Sequence, residues 1–490
     1  MEFKKVDELI NQRKFREAKA ILIDLIHKNK RLNNKLEYNE NNFKNIYFIL
    51  SQICNQLNEL KNSINYLEEH IKINPNDCEG LLSLANLQLK TRQTVNSEKN
   101  YKKILNINKN YIPALINLAI FYEGMGKISN AKKYYERAYK LQPENLNFFY
   151  NLIRIDPNYI NDEKIDYIKK NTNDDKLLKK DKNLKNFIFS KNYEKKKDYE
   201  NEIKFLELSH KNFLKYNINK KSYEYWLKII PKIFNKLLLK NSKNKKLENM
   251  SPIFIIGLPR SGSTITEMIL STSITPKHNL GETSLINQIL ISNYSHKFFD
   301  NFEPNNIEID INLFEGKIIS NLENFDISVL ENKIIIDKSL ENFFYFDLLV
   351  KIFPKAKFIL TERNMKENIL GIYKKILLNI SWAHSLPDIL NYIENYKKIT
   401  GFFKKKYNKK IYSIKLEDIQ NLDEKKIKNL FQFCDLKFNK KYFDFQKNYQ
   451  FVNNASNIQI RSKLKKNNKN KYKKYFKLLD QFKNEYSWLK

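Results

Sequence analysis

A step of 34 positions relates residues of the same character along the first third of this chain. Three sets of positions follow it: Leu50, Leu84 and Leu118; Ser63, Ser97 and Ala131; Leu67, Tyr101 and Tyr135. Within each period apolar residues recur at helical spacing, a short polar break follows, and a second helical pattern ends near NPND, NINKN or QPEN. Small residues at fixed points let two helices approach closely, and proline ends the second helix. The period therefore predicts a row of helix–turn–helix units.

This pattern resembles the tetratricopeptide-repeat family, whose period and paired helices it matches over residues 40–150. The stretch FREAKAILIDLI at 15–26 fits an irregular first repeat. The resemblance implies an α-helical repeat solenoid over residues 1–150. Such arrays bind extended peptides, helices or partner domains on their concave surfaces, so a protein or peptide partner is expected. An irregular helical bundle is the alternative interpretation.

The composition changes twice after the repeats. Residues 156–185 are dominated by Asn, Asp and Lys and break the period, which predicts a solvated connector. Apolar residues such as Phe187, Leu206 and Trp226 then return at helical spacing, so residues 151–248 are expected to form a helical bridge.

From residue 252 onward, short β-branched runs alternate with helix-like segments. The runs are IFIIGL, KIIIDK, KFILTER and IYSIKLED. Strands of this kind predict a parallel sheet covered on both faces, here an α/β domain over residues 249–490. Because ligands of such sheets bind at the carboxyl ends of the strands, the functional residues are expected just after each run.

The first run leads into the loop IFIIGLPRSGSTIT. Gly257 and Gly262 have the separation found in nucleotide triphosphatase loops, yet Ser263 stands where those loops have lysine, and the basic residue is Arg260 inside the loop. Backbone N–H groups at a helix start make an anion cradle. Donor-binding candidates around it are Arg260, Ser261, Gly262, Ser263 and Thr264. The loop lacks the residues for a magnesium-bound γ-phosphate, so we expect a nucleotide donor that reacts without a metal.

The segment GLPRSGST resembles the 5′-phosphosulfate loop of sulfotransferases that use PAPS (3′-phosphoadenosine 5′-phosphosulfate). Downstream, KAKFILTERNMKENILG resembles the family's 3′-phosphate motif, which implies that Arg363 pairs with the 3′-phosphate. The family has a serine eight residues after this arginine, where this chain has Gly371. That contact is either absent, which predicts weaker 3′-phosphate selectivity, or supplied by Asn368 or another neighbour.

Three further segments resemble the same family, so that the likeness covers residues 250–475. STSITPKHNLGETSL is similar to the segment of tyrosylprotein sulfotransferases and repeat-containing bacterial relatives in which a Gly-Glu pair supplies the base, implying Glu282. KIIIDKSLEN is similar to a D-K-x-P-x-N segment, which implies that Lys338 neutralises the transferring group, although Leu340 replaces the proline. VNNASNIQIRSKLKK is similar to the stretch that closes over the nucleotide, implying Ser456 and Arg461 as donor-binding residues.

The resemblance thus implies a repeat-containing, PAPS-dependent and metal-independent sulfotransferase. Glu282 takes the acceptor proton, while Arg260, Lys338 and Ser456 stabilise the leaving phosphate. His278 is the competing base, because other branches of the superfamily use histidine. The acceptor stays open between a tyrosine or other hydroxyl of a protein or peptide, a glycan and a metabolite.

Charge and composition give information on two further kinds of function, nucleic acid binding and metal binding. Lys and Arg outnumber Asp and Glu by 88 to 55, a net charge of +33, but Lys, Asn and Ile are used everywhere along the chain. This spread indicates genomic bias with a general preference for anionic ligands, and the absence of ordered basic–aromatic interleaving argues against a specific nucleic acid partner. Cys54, Cys78 and Cys434 have no metal-ligand spacing.

The start MEFKKVDELINQ has no apolar core of signal-peptide length, and no window has the ~18 apolar residues that span a bilayer. A cytoplasmic protein without a transmembrane segment is therefore expected, and the oligomeric state stays open. Two other functions remain as alternatives: a kinase-like nucleotide enzyme with this loop, or a non-enzymatic repeat scaffold with a degenerate nucleotide-binding domain.

Overall fold

The computed structural model describes most of the chain in two compact units. The described residues are 2–31, 45–172, 177–178, 181–240, 246–275, 278–300, 302–328, 334–438, 440, 451 and 472–490. One unit comprises Met1–Leu141 with Ile319–Ile327, and the other comprises Gln142–Ile318 with Ser328–Lys490. The three-part division at residues 150 and 248 stays a prediction.

The first unit is a succession of helical hairpins. Its helices are α1 (Glu2–Asn11), α2 (Phe15–Arg31), α3 (Ile46–Gln56), α4 (Leu60–Ile73), α5 (Cys78–Lys90), α6 (Thr94–Ile107), α7 (Ile112–Gly124) and α8 (Ile128–Leu141). Consecutive helices pack in the pairs α1/α2, α3/α4, α5/α6 and α7/α8, and α4 packs on α5 as α6 does on α7. The predicted α-helical repeat solenoid is confirmed.

Contacts between the helices repeat at the same interval as the sequence pattern. The Ser63 hydroxyl donates to the Ser51 carbonyl at 2.7 Å, and 34 positions later the Ser97 hydroxyl donates to the Ala85 carbonyl at 2.8 Å. The matching leucines and aromatic residues of each period are buried in the core. An irregular bundle would not repeat one hydrogen bond at the sequence interval, so the small residues serve to join the two helices of each hairpin.

The helical part of the second unit begins directly after the repeats. It contains α9 (Leu146–Ile155), α10 (Asp162–Asn171), α11 (Lys182–Lys196), α12 (Tyr199–Tyr216), α13 (Lys220–Glu224), a π-helical turn (Tyr225–Ile229) and α14 (Ile230–Ile233). Helix α10 lies inside the segment for which composition predicts a solvated connector, and there the composition is misleading. Ile165 and Ile168 are both buried, so one apolar face is enough to hold in place a helix whose other residues are mostly charged.

The second unit also holds a parallel sheet. Among the described residues its strands are β2 (Ile253–Gly257), β3 (Asn279–Gly281), β5 (Ile336–Asp337), β6 (Lys357–Glu362) and β7 (Ile411–Lys415), in the order β3-β5-β2-β6-β7. Every neighbouring pair is parallel, as the β-branched runs predict. Strands β1 (Leu238–Lys240) and β4 (Glu308–Asp310) form a separate parallel pair.

Helices lie between and after these strands along the chain. They are α15 (Ser263–Ser271), α16 (Leu285–Phe299), α17 (Ile311–Glu323), α18 (Phe346–Ile352), α19 (Met365–Tyr373), α20 (Leu386–Lys406), α21 (Leu416–Gln420) and α22 (Glu424–Phe433), with 3₁₀ segments at Leu340–Tyr345 and Lys473–Phe482. All five strands end at one edge of the sheet because they are parallel. The residues that follow β2, β3, β5 and β6 therefore lie along that edge.

None of the helices in the described ranges combines the length and the apolar character needed to cross a membrane.

Candidate active site

Two glycines shape the loop between β2 and α15. Gly257 has φ +150°, and a Cβ added there would lie 2.6 Å from the Thr361 hydroxyl oxygen. Gly262 has φ +100°, and its Cβ would lie 3.0 Å from the Leu416 side chain. A side chain at either position would meet atoms closer than van der Waals contact allows, so the loop can approach β6 and α21 this closely only with glycine at both ends.

Side chains of β6 and α19 form hydrogen bonds with the loop. The buried Ser261 hydroxyl donates to the Leu258 carbonyl at 2.7 Å and lies 2.7 Å from the Thr361 hydroxyl on β6. The Asn368 amide on α19 donates to the Pro259 carbonyl at 2.7 Å. The sequence predicts Ser261 as a phosphate donor and Asn368 as a replacement for the missing family serine. In this structure both side chains bind the loop itself.

The candidate anion-binding features of the loop lie at the start of α15. Gly262 is the N-cap, and Ser263 and Thr264 form the first turn, where backbone N–H groups have no partner within the helix. Arg260 adopts a left-handed conformation with φ +69°, which is costly for a non-glycine residue. Burial lowers the pKa of Arg260, and the nearby Arg363 lowers it further. Arg260 therefore lies at the N-terminus of α15 with a second arginine nearby.

Arg363, at the end of β6, is held towards this loop. Its Nη2 donates to Glu367 Oε2 at 2.8 Å and its Nη1 to the Arg260 carbonyl at 3.3 Å. The Tyr472 ring lies over the guanidinium at 5.6 Å. The structure thus brings the two predicted phosphate-binding arginines together, and Glu367 is a partner that sequence reasoning missed.

A cleft of about 1030 Å³ opens beside Arg363, at the carboxyl ends of β6 and β7. Its lining includes the cationic side chains Lys404 and Lys415 and the aromatic side chains Tyr396 and Phe476. Gly371 lies close by, with a hypothetical Cβ 3.4 Å from Arg363 Nη1. The lining also includes Glu362, Glu367 and Glu417, so the cleft combines side chains of both charges, aromatic surface and room for a group of nucleotide size.

On the other side of β2, Lys338 follows β5 and Glu282 follows β3. The Lys338 backbone N–H donates to the Gly281 carbonyl at 2.9 Å, so the two strand ends are joined. The Lys338 ammonium forms ion pairs with Glu282 and, at 3.2 Å, with Glu267 on α15. Burial lowers the pKa of Lys338, but the two carboxylates outweigh it and the net pKa is raised. Lys338 is therefore a buried cation between two carboxylates.

The buried carboxylate of Asp337 ties the two strand-end segments together. It accepts hydrogen bonds from the Thr283 hydroxyl at 2.5 Å and from the Ser339 backbone N–H at 2.9 Å. The Ser339 hydroxyl in turn accepts from the Ser284 backbone N–H at 2.8 Å. Burial raises the pKa of Asp337. These bonds fix the backbone on both sides of Glu282 and Lys338.

The two candidate bases differ in exposure. The Glu282 side chain is 45% exposed, whereas His278, just before β3, is only 5% exposed. A general base must reach the acceptor proton, so the exposed carboxylate is the better placed of the two. Ser456 and Arg461, the other predicted site residues, lie outside the described residues.

Residues 252–440 match the sequence model described as the sulfotransferase family, and residues 45–77 and 112–145 match that of the tetratricopeptide repeat. The chain joins tetratricopeptide repeats to a sulfotransferase-family domain. The part of the candidate site from β2 to α21 lies within the residues that match the sulfotransferase family, whereas Tyr472 and Phe476 lie beyond them.

Individual relatives are more distant. An uncharacterized protein of Aquifex aeolicus (strain VF5) is 22% identical over 380 residues, covering 75% of this chain and 49% of the relative, so the match spans about half of that protein. Among solved structures, MamA is 16% identical over 34% of this chain and 91% of its own, with a TM-score of 0.28. Sulfotransferase STF1 from Mycobacterium tuberculosis H37Rv is 11% identical over 62% of this chain and 98% of its own, with a TM-score of 0.28.

Proposed function

We propose that this protein transfers a sulfuryl group from PAPS to an acceptor hydroxyl without using a metal ion. The strand order is the observation that supports this most. Because β2 lies between β5 and β6, the loop after β2 has the Glu282–Lys338 pair on one side and Arg363 on the other. An anion held on the loop would thus have a phosphate-binding arginine on one flank and an acid–base pair on the other.

The donor fits the residues present. The 5′-phosphosulfate would lie on the N-terminus of α15 with Arg260, Ser263 and Thr264, and the 3′-phosphate on Arg363. The cleft beside Arg363, with its lysines and aromatic side chains, suits the remaining nucleoside. Gly262, Ser456 and Arg461 complete the proposed donor-binding set, and Ser261, whose hydroxyl and backbone N–H both donate to the Leu258 carbonyl, supports the loop in it.

In the proposed reaction, Glu282 accepts the proton of the acceptor hydroxyl as that oxygen bonds to sulfur. The bond between sulfur and the 5′-phosphate oxygen breaks, and its electron pair stays on the phosphate. Arg260, Lys338 and Ser456 stabilise the negative charge that develops there. The proposed reaction needs a general base and fixed cations but no metal ion.

The acceptor is proposed to be a tyrosine or another hydroxyl of a protein or peptide recruited by the repeats. The stacked helical hairpins of the first unit support this, since such arrays bind peptides and helices. A glycan or a metabolite hydroxyl is the other acceptor class.

The test is transfer of ³⁵S from labelled PAPS to a set of tyrosine-, serine- and threonine-containing peptides by the purified full chain in excess EDTA. We expect labelled peptide, with Arg363→Ala much slower than the parent. Absence of transfer combined with magnesium-dependent ATP hydrolysis would favour the kinase-like alternative. Absence of both, with peptide binding retained, would favour the scaffold.

Gly371→Ser is expected to tighten binding of 3′-phosphoadenosine 5′-phosphate by about tenfold. The reason is that a hydroxyl beside Arg363 would donate one additional hydrogen bond to the charged 3′-phosphate. A Cβ at this position would be in ordinary contact with its neighbours, since the nearest atoms are Arg363 Nη1 at 3.4 Å and Arg260 Cβ at 3.6 Å. Calorimetric titration measures the change. Gly316→Ser on α17 is the matched control, because its Cβ meets nothing within 4 Å and only the helix propensity changes. Equal binding by both variants would contradict the assignment of the 3′-phosphate to Arg363.

A further inference from the structure

Lys338 has two carboxylate partners that differ in their surroundings. Glu282 follows β3 and its side chain is 45% exposed. Glu267 lies on α15 and its side chain is only 5% exposed. Glu282 can therefore exchange its partner for water or an acceptor, whereas Glu267 is shielded from solvent and has the Lys338 ammonium 3.2 Å away.

Glu267 occupies a position where an acidic residue is costly. Its neighbours on α15, Met268, Ile269 and Leu270, are fully buried. A carboxylate that is removed from water pays a large desolvation penalty, which a well-placed counter-charge offsets. The same helix begins at the proposed phosphosulfate loop, so this carboxylate connects that loop to Lys338 across the sheet edge.

We propose that Glu267 is a positioning residue that holds the Lys338 ammonium at the end of β5 throughout the reaction, so that Glu282 can change its charge without leaving Lys338 unpaired. This inference rests on the proposed function. When Glu282 accepts the acceptor proton it stops neutralising Lys338, and a buried cation without a counter-charge is strongly destabilised. Glu267 supplies the counter-charge at that moment. It also lets Lys338 turn towards the transferring group while keeping one ion pair.

Two other acidic groups near this pair, Asp337 and Glu341, are buried in surroundings that favour their neutral form. Asp337 accepts from Thr283 and Ser339, and burial raises its pKa. Burial also raises the pKa of Glu341, to about 7, with the charges of Asp337 and Glu282 adding to the effect. Glu267 and Glu282 are the carboxylates that form ion pairs with Lys338 among the described residues.

The direct test is competitive labelling of lysines with acetic anhydride at mildly alkaline pH, read by mass spectrometry, in the full-length parent, Glu267→Gln and Glu267→Asp. Lys374 is an internal reference, because it is also buried between two carboxylates, Glu194 at 2.6 Å and Glu202 at 2.7 Å. We expect Glu267→Gln to speed labelling of Lys338 by about tenfold, one pKa unit, with Lys374 unchanged and Glu267→Asp intermediate. Unchanged labelling of Lys338 in both variants would overturn the inference.

The second readout is the pH dependence of sulfuryl transfer. Since Glu267 raises the pKa of Lys338, Glu267→Gln should move the alkaline limb of kcat to lower pH and reduce kcat while donor KM changes little. The substitution should have no further effect on kcat in a Lys338→Met background, because Glu267 acts through Lys338. Parent and variant with equal kcat and equal alkaline limbs would overturn the inference and leave the proposed function standing. The expected labelling result in a parent that transfers no sulfuryl group would overturn the proposed function and leave the Glu267–Lys338 linkage standing.

Discussion

Glu282→Gln is expected to lower the rate constant of sulfuryl transfer by about 10²–10⁴-fold while leaving donor binding unchanged. The amide keeps the shape of the side chain but cannot accept the acceptor proton. Glu282 is half-exposed beside Lys338 and is not on the loop that is proposed to hold the nucleotide. Single-turnover transfer of ³⁵S and titration with 3′-phosphoadenosine 5′-phosphate measure the two quantities separately.

Two controls make this result specific. Glu308→Gln on β4 removes an equally exposed carboxylate that pairs with Lys240, and it should leave transfer unchanged. His278→Asn tests the competing base. A parental rate in Glu282→Gln together with a collapsed rate in a folded His278→Asn would assign the proton transfer to the histidine and contradict the present assignment.

Lys338→Met is expected to lower both activity and stability. Loss of a fixed cation at the transferring group should cost about 10²–10³-fold in kcat. The free energy of unfolding should fall by about 3–5 kcal/mol, because the substitution leaves Glu267 buried without its counter-charge. In the parent the pKa of Lys338 is raised above its ordinary value of 10.5, so this stabilisation is complete below that pH and is lost only as the pH rises through the raised pKa.

Denaturant unfolding of the parent, Lys338→Met and the double variant Lys338→Met with Glu267→Leu separates the causes. The double variant should recover most of the lost stability and none of the activity, because it removes the buried charge but not the need for a cation. Lys240→Met, which breaks an exposed ion pair, should change stability by less than about 1 kcal/mol. Equal free energies of unfolding for Lys338→Met and the parent would show that the buried ion pair contributes nothing to stability.

The repeats were predictable because they depend on local pattern alone. Contacts between the helices recur at the same interval as the sequence pattern. Ser63 and Ser97, one repeat apart, make the same hydrogen bond. The loop after β2 was predictable for a similar reason. Its glycines, its arginine and the flanking strand and helix all lie within one short stretch of chain.

The half of the site that contains the proposed catalytic residues was only partly predictable. Strand β3 has three residues, Asn279–Gly281, without the β-branched run that marks the other strands of the sheet, and it is a strand because it pairs with β5. The contact between Glu282 and Lys338, 56 residues apart, follows from that pairing. Glu267 was missed because nothing in a helical stretch reveals which buried cation an acidic residue will meet. Its only signal is a lone carboxylate in the apolar run ITEMIL.

Calorimetric titration with 3′-phosphoadenosine 5′-phosphate in the absence of magnesium tests the central claim most directly. We expect saturable binding to the parent, weakened at least about tenfold by Arg260→Ala and by Arg363→Ala, which each remove a charged hydrogen-bond donor. Arg137→Ala in the repeats should bind like the parent. No heat of binding and no thermal stabilisation of the parent by this nucleotide would contradict the donor assignment and leave the repeat scaffold as the better account.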